Sequence, residues 1–262
     1  MYAKKIISGP FLSMKKAQNY SEYVYFINFS DPLHVFKGLQ KFPHIVYHAI
    51  TFGDWNTCII SDIPLDFSLL RGFENLLYMD EKIQSQLLMA RSVSWKRAFQ
   101  NMQERIEKVT PHYANKQQTV PFLRWGSDQW ALYHAFKNDM RQPVTPQLKK
   151  IGIRHELYKR WKKDIADFCT IQVGFYPECR DGYAVCTLLL YTKYEKEVKS
   201  LFSHFPTSSL YMEMKKGMMI GVYVKDPENM RKLWCILFDM KTKGIIKEFR
   251  YAQIIDECYH CR

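Results

Sequence analysis

One order of pieces occurs twice in this chain: a strand, a helix closed by Phe-Pro, and then a hairpin that turns at glycine. That duplication limits the possible folds more than any other feature. In the first copy, EYVYFINF (Glu22 to Phe29) is rich in aromatic and β-branched residues, as strands are. DPLHVFKGLQKFP (Asp31 to Pro43) follows as a helix, with Asp31 at its N-cap, Pro32 at its first position and a proline stop. HIVYHAITFGDWNTCIISD (His44 to Asp62) reads as two strands turning at Gly53-Asp54, LDFSLLRGF (Leu65 to Phe73) as a helix, and NLLYMDEKIQSQLLMA as the last strand. In the second copy, GYAVCTLLLYT (Gly182 to Thr192) is a strand and YEKEVKSLFSHFP (Tyr194 to Pro206) a helix. SSLYMEMKKGMMIGVYVKD (Ser209 to Asp226) is a hairpin turning near Lys216-Gly217. PENMRKLWCILFDMKTKG (Pro227 to Gly244) is a helix and IIKEFRYAQII (Ile245 to Ile255) a strand. Each copy has the order β-α-β-β-α-β, so the expected class is α+β with two ferredoxin-like units.

Between the copies the pattern changes. A polar helical connector runs from about Val93 to Val109, then a loop with Pro111 and Pro121. Ser127 or Asp128 caps a helix, DQWALYHAFKNDM, that buries Trp130, Tyr133 and Phe136, and Gln142-Pro143 breaks it. TPQLKKIGIRHELYKRWKKDI (Thr145 to Ile165) then gives two short helices about Gly152, the first starting at Thr145-Pro146. On the second, Leu157, Trp161 and Ile165 recur at intervals of four and form one apolar face. This is the pattern of a helix-turn-helix, and TIQVGFYP (Thr170 to Pro177) leaves it as a strand suited to a wing.

A basic amphipathic helix is in many proteins only a solvated face. Charge separates the two readings. Thr145 to Ile165 holds seven Lys or Arg against Glu156 and Asp164, in a chain with 38 basic and 26 acidic residues and a net charge of +12. Such a concentration is the footprint of a phosphate-binding surface, so double-stranded DNA is the expected partner. Arg154, His155 and Lys159 are the candidates for base edges in the major groove, with Glu156 able to accept from cytosine. Lys149, Lys150, Lys162 and Lys163 are candidates for the backbone, and Arg160 is a further DNA-binding candidate.

At 262 residues, 47% hydrophobic and 15% aromatic, the chain has the material for more than one core. No apolar run approaches a membrane span, and the N-terminus lacks a signal-peptide core, so a cytoplasmic location is expected. Seven cysteines, several inside apolar stretches (Cys58, Cys186, Cys235), fit reduced buried thiols. Cys258-Tyr-His-Cys261 is a lone C-x-x-C, short of the four ligands zinc takes, and is read as a frayed tail. No phosphate loop and no G-x-S-x-G elbow is present, and no catalytic residue, metal or cofactor is assigned.

Two stretches resemble the leucine-responsive regulatory protein (Lrp/AsnC) family of prokaryotic transcription regulators. VGFYPECRDGYAVCTLLLY (Val173 to Tyr191) is similar to that family's hinge into its first sensing strand, and IVYHAITFGDWNTCIIS (Ile45 to Ser61) to its second and third strands with their acidic turn. The resemblance implies a sensing unit over 1–92 without its own helix-turn-helix and a connector over 93–124. It places a winged helix-turn-helix over 125–172, a second sensing or assembly unit over 173–257 and a tail over 258–262. It further implies a DNA-binding regulator acting as a homodimer, with a small effector held near Gly53, Asp54 and Asn56. Leu148 stands where the family has a small residue at the helix crossing, and Arg154 replaces the usual Ser or Thr cap. Relatives of this architecture include two-domain sirohaem decarboxylases, so a tetrapyrrole enzyme with His44 or His48 as proton donor is the alternative.

Overall fold

A computed structural model of the chain describes residues 5–109 and 120–260. Pro111 and Cys261 therefore lie outside the described residues. The first copy contains β2 (Glu22–Phe29), α1 (Pro32–Leu39), β3 (Ile45–Gly53), β4 (Thr57–Ser61) and β5 (Phe73–Leu88), preceded by β1 (Ile7–Met14). The connector is α2 (Trp95–Ile106). α3 (Ser127–Phe136), α4 (Val144–Ile151) and α5 (His155–Phe168) follow, and then β6 (Cys169–Phe175). The second copy is β7 (Ala184–Tyr191), α6 (Glu195–Phe202), β8 (Ser209–Met214), β9 (Met218–Val224), α7 (Pro227–Thr242) and β10 (Glu248–Tyr259).

The class is α+β, as the duplicated pattern indicates. Each half orders its strands alike, β5-β2-β4-β3 and β10-β7-β9-β8, and the halves join edge to edge. β3 pairs antiparallel with β10 and β5 with β8, closing one barrel of eight strands. Closure leaves neither half with an open sheet edge, so a single chain already supplies the pseudo-twofold pairing of two such units.

Alternation along β2 shows how the sequence builds two layers. Val24 and Phe26 point into the barrel with Trp55, Tyr78, Met212 and Met219. Tyr25, Ile27 and Phe29 point outward, under Val35 and Leu39 of α1. In the second half the outer layer is deeper. α7 presents Leu233, Ile236, Leu237 and Met240 along one helical stripe, and α2 adds Ala98, Phe99, Met102 and Ile106 over α6 and α7.

The expected helix over Leu65 to Phe73 is not formed. Only Phe67–Leu69 makes a single 3₁₀ turn, capped by the Asp66 carboxylate on the Ser68 N–H, and β5 begins at Phe73. The segment is too short to complete a helical stripe, because Gly72, at φ +82°, turns the chain early into the strand. At the other end β10 continues to Tyr259, so Cys258 lies within the sheet and not in a frayed tail. No helix among the described residues is long and apolar enough to cross a membrane.

Candidate functional site

The helix-turn-helix has a core of its own. Leu132, Tyr133 and Phe136 of α3, Leu148 of α4, and Tyr158, Trp161 and Ile165 of α5 are buried together with Leu12 and Met14 of β1. The inward face of α5 is thus centred on Tyr158, with the expected Leu157 only half-buried beside it. Trp130 is also half-buried, at 5.1 Å from the Trp125 ring. α4 starts one residue before Thr145 and has no side-chain cap, because Pro143 occupies the N-cap. Gly152 adopts the left-handed conformation, φ 70°, and its N–H returns to the Leu148 and Lys149 carbonyls, a glycine-terminated exit. Arg154 is the N-cap of α5 and makes no capping bond, which leaves its guanidinium available. From α5 the chain runs straight into β6, which pairs with β1 as a two-stranded antiparallel ribbon.

Lys149, Lys150, Arg154, His155, Lys159, Arg160, Lys162 and Lys163 are all exposed. None forms an ion pair with a carboxylate among the described residues, and Glu156 and Asp164 are themselves solvent-facing. These side chains lie close together on α4 and α5, so their fields add.

A second site was not visible in the sequence. Where the β1–β6 ribbon and α3 cover one mouth of the barrel, a cavity of about 360 Å³ remains, at the small end of the range for ligand pockets. Its floor is apolar, from Ile60, Leu210, Met212, Met219 and Ile254. Two charged pairs line it. Lys82 bonds Glu22 in a buried pair, and Lys82 Nζ also donates to Ser13 Oγ at 3.1 Å. Arg180 Nη2 donates to Glu257 Oε1 at 2.8 Å and to the Tyr223 hydroxyl at 3.2 Å, while Tyr47 donates to Glu257 Oε2 at 3.1 Å.

Burial, then the neighbouring Tyr259 and Glu257, push the Tyr47 hydroxyl well above its ordinary pKa, so it stays a donor. Burial works against the Arg180 charge, but the surrounding Tyr223, Tyr259, Glu257 and Tyr176 outweigh it and raise its pKa. Burial, with a smaller contribution from Glu257, pushes the Cys58 thiol in the cavity wall up to about 12. Cys58 is therefore a protonated lining residue and not an activated nucleophile. Gln172 holds its amide nitrogen on the Ser85 carbonyl at 3.1 Å, and its buried Oε1 has no partner. A buried acceptor without a donor is costly, so this atom asks for one from an occupant of the cavity.

Gly53, Asp54 and Asn56 do not line this cavity. They lie at the β3–β4 turn, where Asp54 Oδ2 accepts from the Tyr251 N–H at 2.7 Å and Asn56 Nδ2 donates to the Phe29 carbonyl at 2.7 Å. Their polar groups tie the turn to β10 and β2. His44 and His48 do not share a face of one cavity either. His44 precedes β3 with φ 66°, pairs with Asp62 at 3.0 Å and is exposed, and the register slips between Ile45 and Tyr47. His48 is buried outside the barrel, its ring 4.7 Å from Phe36 of α1.

No protein-family model matches the chain, and no curated protein sequence matches it. Two solved structures are similar in the path of the chain: the siroheme decarboxylase NirDL, and the same protein in co-complex with an iron-uroporphyrin III analogue. Their identities to this chain are 10% and 9%, each with a TM-score of 0.47, covering 96% of this chain and 77% of theirs. The reading of the two sites rests on the residues described above.

Proposed function

We propose that the chain is a DNA-binding regulator of the Lrp/AsnC kind, with the helix-turn-helix as its reader and the barrel cavity as the seat of a small effector. The observation that carries this reading is the unpaired, fully solvent-facing cationic face of α4 and α5. Glu156 and Asp164 stand four positions either side of Arg160, and Asp167 four after Lys163, yet none of these acids closes an ion pair with the cationic face among the described residues. Phosphate contacts from Lys149, Lys150, Arg160, Lys162 and Lys163 supply affinity, and Arg154, His155 and Lys159, near the start of α5, face base edges. The described residues hold one helix-turn-helix per barrel, so a palindromic site is read by two copies of the chain.

The test is retention of duplex DNA by the full chain as salt is varied. Lys159→Ala with Arg160→Ala is expected to weaken binding tenfold or more and to make the salt dependence shallower by roughly one to two released counterions. Equal affinity and an equal slope in the double variant overturn the assignment.

A second reading has its own support. The buried Glu22–Lys82 pair, the half-buried Arg180–Glu257 pair and the tyrosines around them resemble the charged lining of an enzyme pocket, as in a sirohaem-decarboxylase-like protein. Purified chain carrying a tetrapyrrole absorbance band, with no duplex retention, favours that enzyme. Duplex retention without the band favours the regulator.

A further inference from the structure

We infer that His48, Cys258 and His260 form a binding site for one zinc-class transition-metal ion, which pins the end of the last strand to β3 under α1. The C-x-x-C of the sequence offered too few ligands for such a site. A third protein ligand comes from far away, leaving the fourth position to water: His48 lies 212 positions before His260 and meets it through the barrel seam.

Pairing makes the cluster. His48 on β3 and Cys258 on β10 stand directly opposite each other in the antiparallel register, so their side chains leave the same face of the sheet. His260, two residues beyond Cys258, has the same parity, and its N–H bonds the Val46 carbonyl at 3.0 Å. One ligating atom from each of the three lies within 4.8 Å of the other two.

Proton bookkeeping sets the orientation. His48 Nε2 is 2.9 Å from the Phe36 carbonyl oxygen, which can only accept, so this nitrogen carries the hydrogen. His48 Nδ1 then presents a lone pair toward His260 Nε2, at 2.8 Å, and the hydrogen that His260 Nε2 donates in this contact moves to its own Nδ1 when the ion enters. Tetrahedral zinc, with bonds of about 2.0–2.3 Å, sets its ligand atoms roughly 3.3–3.7 Å apart. The observed separations bracket that value, so small ring and thiol rotations admit the ion. The Phe36 carbonyl is the outer partner that holds a metal-bound imidazole in one tautomer. Two imidazoles and a thiolate suit zinc, cobalt(II) or nickel(II) and not magnesium or calcium. The Cys258 proton leaves to solvent on binding.

Cobalt(II), added to the metal-stripped full chain, reports the ligand set directly. The expected result is one equivalent bound, with a thiolate-to-cobalt charge-transfer band in the near ultraviolet, displaced by zinc. Cys258→Ser is expected to abolish the band, while His48→Gln and His260→Gln each weaken binding tenfold or more. Circular dichroism identifies any variant that fails to fold, and the two histidine variants then stand in for the cysteine one. A wild-type chain that gives no charge-transfer band overturns the site. So does a band that survives Cys258→Ser, one lost only on Cys261→Ser, or cobalt affinity unchanged in both histidine variants.

Discussion

The two halves of the barrel share a strand order and edge partners but not a cover. Behind β7–β10 lie α6, α7 and α2, and the buried cluster there includes Phe99, Leu188, Phe202, Leu237 and Met240. Among the described residues, α1 and the Phe67–Leu69 turn lie behind β2–β5, over a smaller cluster of Tyr25, Ile27, Phe29, Leu39 and Phe67. Leu33, Leu69 and Leu76 of this first half remain 61%, 85% and 48% exposed. Barrel closure explains how the thin half persists. Its edges are paired to the well-covered half, so its strands are held by backbone bonds and by the shared interior and need less apolar cover of their own.

That contrast is open to direct attack with one chemistry on both sides. Phe202, 1% exposed among three helices, and Phe67, 4% exposed and itself part of the single turn, are compared as Phe→Ala. Phe202→Ala is expected to cost about 4–5 kcal/mol and Phe67→Ala about 3, because the shallow site collapses onto its void and the deep one does not. Urea unfolding with a constant m-value measures both. Equal costs, or a larger one at Phe67, break the argument that cover differs in energy as well as in shape.

The next effect concerns the hairpin of each half. Gly53 has φ +149°, and a Cβ there meets the Tyr251 carbonyl oxygen at 2.5 Å and Ala252 Cα at 2.7 Å, both across the seam with β10. Gly217, in the matching hairpin of the second half, has no such φ, and its nearest neighbours lie at 3.2 and 3.3 Å. Gly53→Ala is therefore expected to cost about 1–3 kcal/mol from the dihedral, with the clash added. Gly217→Ala is expected to stay within about 1 kcal/mol of wild type. Thermal unfolding of the pair sharpens the comparison, since only at Gly53 does the backbone of β10 leave no room for a Cβ.

Much of the fold was legible locally. The alternation of β2, the glycine exit at Gly152, the inward side of α5 and the strand after it follow from short-range pattern. What failed, failed for want of length: Leu65 to Phe73 has the composition of a helix but not the turns to bury one. The cavity was illegible for another reason. Glu22, Lys82, Arg180 and Glu257 look like ordinary surface charges, and Gln172 like an ordinary strand residue, until closure brings β1, β6, α3 and both sheets together. Register between distant edges has no local signature, so the meeting of His48 with Cys258 had none either. The exposed cationic face could be read in advance because it needs only two consecutive helices and the short turn between them.

Acid offers the finest cut between the halves, at the seam where β5 meets β8. Glu81 of β5 receives Lys215 from the hairpin of the second half, Ser21 from the first, and Lys16 from the segment after β1. Burial alone raises its pKa, but those donors outweigh burial and hold the carboxyl down at about 2. A depressed carboxyl stabilises the fold above its unfolded pKa, near 4.3, and that share is lost as pH falls from there toward about 2. Lys215 is half-exposed, so the effect is screened, and added salt shrinks it. Glu81→Gln is expected to lower stability modestly at pH 7 and to flatten the acid limb below about pH 4.5 relative to wild type. Parallel acid limbs in the two proteins show that the seam is held by its backbone ladder and apolar interior alone, and that the first half borrows nothing from this charge cluster.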